Sequence, residues 1–201
     1  MTTNNNPVGY QINTKDKLQG EYGVFYSYVM ASDGLYIRAM NDLLSATINI
    51  AHVEVRGLAP LKEEIIFRHG KLPSYLLSLA LSIISETPET EQYVAIVWSK
   101  NSYAVRKPEQ EGTGGHVNYH VIPGTLMDIH SHTGEMPAEF SFIDNIDEQG
   151  LKLYAVAADT GADQPPITIR LGVYGYFLEL GIEEVFEGYD SGNSSLQVRH
   201  V

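Results

Sequence analysis

Two histidines two residues apart stand in the run Asp128-Ile-His-Ser-His132, and Ser141-Phe-Ile-Asp144 follows after the interval Thr133 to Phe140. Side chains alternate faces along a strand, so His130 and His132 point the same way and can share one metal ion. Asp144 falls in the first turn of an expected helix, and a strand–loop–helix path can return its carboxylate over the strand's end. Two imidazoles and a carboxylate leave a fourth position for water, the pattern of a catalytic rather than a structural zinc, which brings the pKa of such a water to about 7. Iron and manganese also accept such a set. The chain has Cys 0, which excludes thiolate ligands and nucleophiles and leaves His, Asp and Glu to hold any metal.

Such a site also needs a general base that is not a ligand. Glu91, just ahead of the apolar run Val94-Ala-Ile-Val-Trp98, is the first candidate, with Glu89 in reserve. Ser141 is a candidate donor to the oxyanion of a tetrahedral intermediate; loss of one such donor raises a barrier by about 2.7–4 kcal/mol. Each piece also has an ordinary reading. A His-x-His pair is more often packing or surface than a metal site. Ser-x-x-Asp is a common helix capping box. Glu89 and Glu91 read equally as solvated charges before a strand. The conjunction is much rarer than any of its parts.

Other residues weigh less. Asp128 shares the strand face of both histidines, either as an acceptor for an imidazole N–H or as a solvated or hydrogen-bonded carboxylate. His116 and His120 alternate on another strand face, with no carboxylate set to complete them. Gly112-Thr-Gly-Gly115 lacks the lysine and following helix of a phosphate loop and reads as a flexible loop bordering the cleft.

The elements that must position these groups follow from pattern and punctuation. Residues 1–20 are polar and expected to be flexible. Residues 21–70 are β-rich: Val24 to Met30 and Leu35 to Arg38 flank Asp33-Gly34, a hairpin signal, and Ala46 to Val55 alternates. Leu72 to Ile84 changes to helical period, with Pro73 in its first turn. Strands are expected at Val94 to Trp98, Ser102 to Arg106, His116 to Ile122 and Leu126 to Ser131, with a loop at Glu109 to Gly115. A short helix over Ser141 to Gln149 stops at Gly150. Leu151 to Ala158, Ile167 to Phe177 and Glu184 to Glu187 complete the sheet, and 191–201 is a tail. This order implies an α+β fold, helices flanking a mixed, curved sheet, with a β-rich N-terminal extension.

Formal net charge is -12, from 13 basic and 25 acidic residues. That argues against nucleic acid, whose phosphates need a surplus of Lys and Arg. No apolar run reaches the length of a membrane span, and the N-terminus has no secretory pattern, so the expected location is the cytoplasm.

Glu91, His130-Ser-His132 and Ser141-x-x-Asp144 together resemble the JAMM (JAB/MPN) metalloprotease motif across roughly 70–190. The resemblance implies a JAB/MPN-like (cytidine-deaminase-like) domain over 71–190, zinc on His130, His132 and Asp144, Glu91 as base and Ser141 as oxyanion donor. The interval between His132 and Ser141 is one residue longer than the motif usually has, and Thr133 stands where proline is common. Met136-Pro-Ala-Glu-Phe-Ser141, Asp147-Glu-Gln-Gly150, Arg170-Leu-Gly-Val-Tyr-Gly-Tyr176 and Arg56-Gly-Leu-Ala-Pro60 look like the PRTRC system protein A family, a bacterial JAB-like branch. That likeness implies a peptide or ubiquitin-like protein tail as substrate and a ThiF/E1-like protein as partner. Two other functions stay open: a non-catalytic MPN-like interaction module, and a metal-dependent hydrolase of a small amide.

Overall fold

The computed structural model describes residues 6–113, 117–134 and 136–189. Contacts divide the chain into two compact units between Gly70 and Lys71.

The first unit is a six-stranded sheet: β1 (Val8–Asn13), β2 (Leu18–Glu21), β3 (Tyr26–Ala31), β4 (Gly34–Met40), β5 (Leu44–Ala51) and β6 (Glu64–Phe67), in the order β2-β1-β3-β4-β5-β6. β1 and β3 are parallel, and the other neighbours antiparallel. β3 alternates strictly, burying Ser27, Val29 and Ala31. Val29, Ala31 and Tyr36 form a core cluster with Leu18 and Leu61 against it. The Asp33-Gly34 signal marks the β3–β4 hairpin, where Ala31 pairs with Gly34. β1 and β2 occupy much of the segment expected to be flexible, because Tyr10 to Asn13 pair with Leu18 to Glu21.

The second unit contains β7 (Leu72–Pro73), α1 (Tyr75–Ile84), β8 (Tyr93–Ser99), β9 (Ser102–Arg106), β10 (Gln110–Gly112), β11 (Val117–Tyr119), β12 (Thr125–Ser131), α2 (Phe142–Asp147), β13 (Leu151–Ala157), β14 (Ile167–Val173), β15 (Tyr176–Leu180), α3 (Ile182–Val185) and β16 (Phe186–Glu187). Its main sheet runs β15-β14-β13-β12-β8-β9, with β12 and β13 parallel and every other pair antiparallel. β12 and β13 are central and buried nearly throughout; β13 has the near-continuous apolar sequence of a strand covered on both faces, whereas β12 carries Thr125, Asp128, His130 and Ser131 among its apolar residues. α1 packs on β8, β9 and β12 and buries Leu76, Leu77, Ala80 and Ile84; the two leucines and the isoleucine are worth about 1.5–3 kcal/mol of burial each.

The α+β expectation is corrected here. Strands take 46% of the described residues and helices 11%, so the fold is β-rich and no helical layer flanks the sheet. Among the described residues only α1 is long enough to pack as a layer element. α2 buries no residue, and α3 has 4 residues. The helical period of 72–84 overran its true start: Leu72 and Pro73 form β7, paired in parallel with Phe186 and Glu187 of β16. For the same reason Glu184 to Glu187 does not extend the main sheet. The expected loop at Glu109 to Gly115 contains β10, paired with β11. Gly114, Gly115, His116 and the 191–201 tail lie outside the described residues. Among the described residues no helix is long and apolar enough to cross a membrane.

Candidate metal centre

α2 lies on the crossover between the parallel strands β12 and β13, so the candidate ligands gather at the carboxyl end of that pair. This is where open sheets with parallel strands commonly place their ligands. β12 carries His130, and His132 follows its last residue. The ligand atoms of His130, His132 and Asp144 all lie within 4.8 Å of one another, the one such group among the described residues.

Asp144 has two jobs on two oxygens. Its Oδ2 accepts from the Ser141 N–H at 2.6 Å while Ser141 Oγ accepts from the Asp144 N–H at 3.2 Å, a reciprocal capping box. Its Oδ1 faces His130 Nε2 at 3.4 Å. The capping box is thus present, and it leaves the other oxygen of Asp144 facing His130, so capping does not exclude the ligand reading of Ser-x-x-Asp. Tetrahedral ligands with bonds of about 2.0–2.1 Å stand about 3.3 Å apart, which fits the His130–Asp144 separation.

The histidines are prepared differently. His132 Nδ1 lies 3.0 Å from the Pro137 carbonyl. A carbonyl can only accept, so this nitrogen carries the proton and Nε2 presents its lone pair. Such an outer hydrogen bond is the usual companion of a metal-binding imidazole. His130 Nε2 is buried with no hydrogen-bond partner, a cost of about 1–3 kcal/mol unless something else satisfies it. A cation held among the three residues would do so. Burial pushes His130 below its ordinary 6.5, to about 4; Asp144 opposes the shift, and the charges of His132 and Arg170 add to it.

A pH dependence follows for the metal-free protein. Between pH 6.5 and about 4 the unfolded chain binds a proton at His130 that the folded chain refuses. This contribution is full above pH 6.5 and is lost as pH falls through that window, about 3 kcal/mol in all. Urea unfolding at pH 7 and pH 4 should show a loss larger by about that amount in the wild type than in His130→Gln. Equal losses would show that His130 is not held neutral.

Glu91 is buried, and it lines the same cleft of about 340 Å³ as His130, His132, Ser141 and Asp144. Glu89 is exposed and absent from that lining. Three contacts fix the segment. The Glu91 N–H donates to the Thr113 carbonyl at 2.8 Å. The next residue is clamped by Ser131, whose Oγ accepts from Gln92 N–H at 2.9 Å and whose N–H donates to Gln92 O at 2.9 Å. The middle residue of His-Ser-His thus registers Glu91 against the histidines. Gln110 then holds both main-chain groups of Tyr93, accepting at 2.7 Å and donating at 3.0 Å.

Asp128 is buried with other partners. Its Oδ1 accepts from Tyr93 Oη at 2.5 Å and its Oδ2 pairs with Lys152 Nζ at 2.8 Å. Of the two readings of Asp128, these contacts are those of a hydrogen-bonded carboxylate; no imidazole is among them. His120 is exposed, and its expected companion His116 lies outside the described residues. Sequence reasoning missed Ser131, Lys152, Glu148 and Arg170 as parts of the site. For Arg170 a signal existed: a lone charge inside the apolar run Ile167 to Val173, where an unpaired charge is not tolerated.

No family model matches the chain, and no curated protein matches it.

Proposed function

We propose that the second unit is a metal-dependent amide hydrolase, a JAMM-type zinc peptidase or isopeptidase. The observation that carries this reading is the gathering of His130, His132 and Asp144 within 4.8 Å, with one orphaned imidazole nitrogen facing it. Zinc bound there would supply Lewis acidity toward a scissile carbonyl and a lowered pKa for water. The chain's own residues do the rest. His132 is held in one tautomer by Pro137, and Asp144 is held by its capping box. Glu91, in the same cleft, takes the proton of the attacking water and passes it to the leaving amine. Ser141 Oγ accepts from Asp144 N–H, so its own hydroxyl proton remains to donate to the oxyanion. The substrate we favour is an extended C-terminal tail, as of a ubiquitin-like protein.

Elemental analysis of protein supplied with zinc should find about one ion per chain in the wild type and none above background in His132→Ala, three ligands being the least a catalytic zinc keeps. A folded wild type that takes up no metal would leave the interaction-module reading. That alternative has its own support in the exposed Phe142, Ile143 and Ile146 on α2 beside the cleft.

A further inference from the structure

α2 carries Asp144, yet no apolar side chain of α2 is buried among the described residues. It buries no residue, and Phe142, Ile143 and Ile146 are exposed. Its partly buried residues are Asp144 and Asn145, followed by Glu148 at the C-cap. At this spacing they line one face of the helical turn. That inward face is polar, so its attachment to the sheet has to come from hydrogen bonds and charge.

Arg170 supplies them. It stands on β14, buried, opposite Tyr154 of β13. Its Nε donates to Glu148 Oε2 at 2.9 Å, its Nη2 donates to the same oxygen, and its Nη1 donates to Asn145 Oδ1 at 2.6 Å. The guanidinium carbon lies 3.6 Å from the centre of the Phe140 ring and 3.8 Å from that of Phe177. Phe140 in turn meets His130 edge-on at 6.2 Å. The helix has two further ties at its flanks: Thr168 Oγ1 donates to Ala138 O, and Tyr154 Oη donates to Gln149 O at 3.0 Å. These fix the chain before and after α2. Arg170 reaches the turn that bears the carboxylate.

We infer that Arg170 is the positioning residue that docks α2 on the sheet and so sets Asp144 against the two histidines. The inference rests on the metal reading for its functional meaning. A planar, forked cation suits the task. It serves Asn145 and Glu148 at once while its faces lie on two rings, and a lysine ammonium cannot do both.

The test uses the full chain as wild type, Arg170→Lys and Asn145→Ala, with two readouts. Zinc affinity, measured by competition with a chromophoric chelator, should fall by about 10-fold in Arg170→Lys, the lower end of what losing a ligand's own hydrogen-bond partner costs, because Arg170 acts on Asp144 through Asn145 and Glu148. It should fall less in Asn145→Ala, which severs one bond and leaves the core of the sheet intact. Amide hydrogen exchange should quicken at Asn145 and Glu148, whose N–H groups close α2 on Ser141 O and Asp144 O, while β12 and β13 keep their protection. Full zinc affinity and unchanged exchange of α2 in Arg170→Lys would overturn the inference, since charge alone would then suffice. Equal loss of protection in β12 and β13 would also overturn it, as a general destabilisation. A wild type that binds no zinc defeats the metal reading itself, and does so before any variant is compared.

Discussion

Glu91→Gln should retain zinc and the fold but lose turnover by about 10²–10⁴-fold, the range that a positioned acid–base group contributes. The amide has nearly the same shape as the carboxylate, so the packing of this buried residue is preserved. Its oxygen still accepts a hydrogen bond, but it cannot take a proton from water and return it to an amine. Zinc should stay, because Glu91 is outside the group whose ligand atoms converge. The measurement is turnover of an amide-linked C-terminal tail, alongside metal content of the same preparation. Full activity would remove Glu91 from the base role, and exposed Glu89 is no substitute within the cleft. Loss of zinc would make Glu91 a ligand. Running small amides beside the tail substrate separates a peptidase from a small-amide hydrolase, since both need the base but only one needs a long cleft.

The parts of the site legible in the sequence were the local ones. The rings of His130, on β12, and His132, just past its end, stand 5.3 Å apart, as the two-residue side-chain period of extended chain leads one to expect. Ser141 and Asp144 announce a helix start because a capping box spans three residues. Each of these is decided within a few residues of chain. What was not legible depends on strand order. Arg170 matters because β14 lies beside β13 and α2 lies on the β12–β13 crossover, and no local pattern encodes that. The clamp of Ser131 on Gln92 joins residues 39 apart. The fold shows the same division. The β3–β4 hairpin was readable from Asp33-Gly34. The pairing of Leu72 with Phe186 was not, and its absence made β7 look like the start of α1. Both expected helices are present, but the helical layer was overestimated because α1 has only 10 residues and α2, with 6, buries none.

Gly112→Ala should cost about 10²-fold in turnover with zinc retained, although residue 112 touches no candidate ligand. Gly112 lies on β10, and a Cβ there would stand 2.2 Å from the Glu91 carbonyl oxygen. That neighbour is backbone and cannot swing aside. Either the β10–β11 hairpin lifts away or the Glu91 segment moves, and both break the Glu91 N–H bond to Thr113 O at 2.8 Å. Displacing a reacting group by about 1 Å is enough for a loss of that size. The histidines and Asp144 are carried by β12, its end and α2 and not by the hairpin, so metal content should be unchanged. Gly161→Ala is the control, since a Cβ at that position meets nothing within 4 Å. If Gly112→Ala turns over normally, Glu91 does not depend on the hairpin for its place. If turnover falls and added zinc restores nothing, Gly112 sets the approach of β10 to Glu91, and Gln110 to Gly112, expected as part of a loop, form a strand on which the place of Glu91 depends.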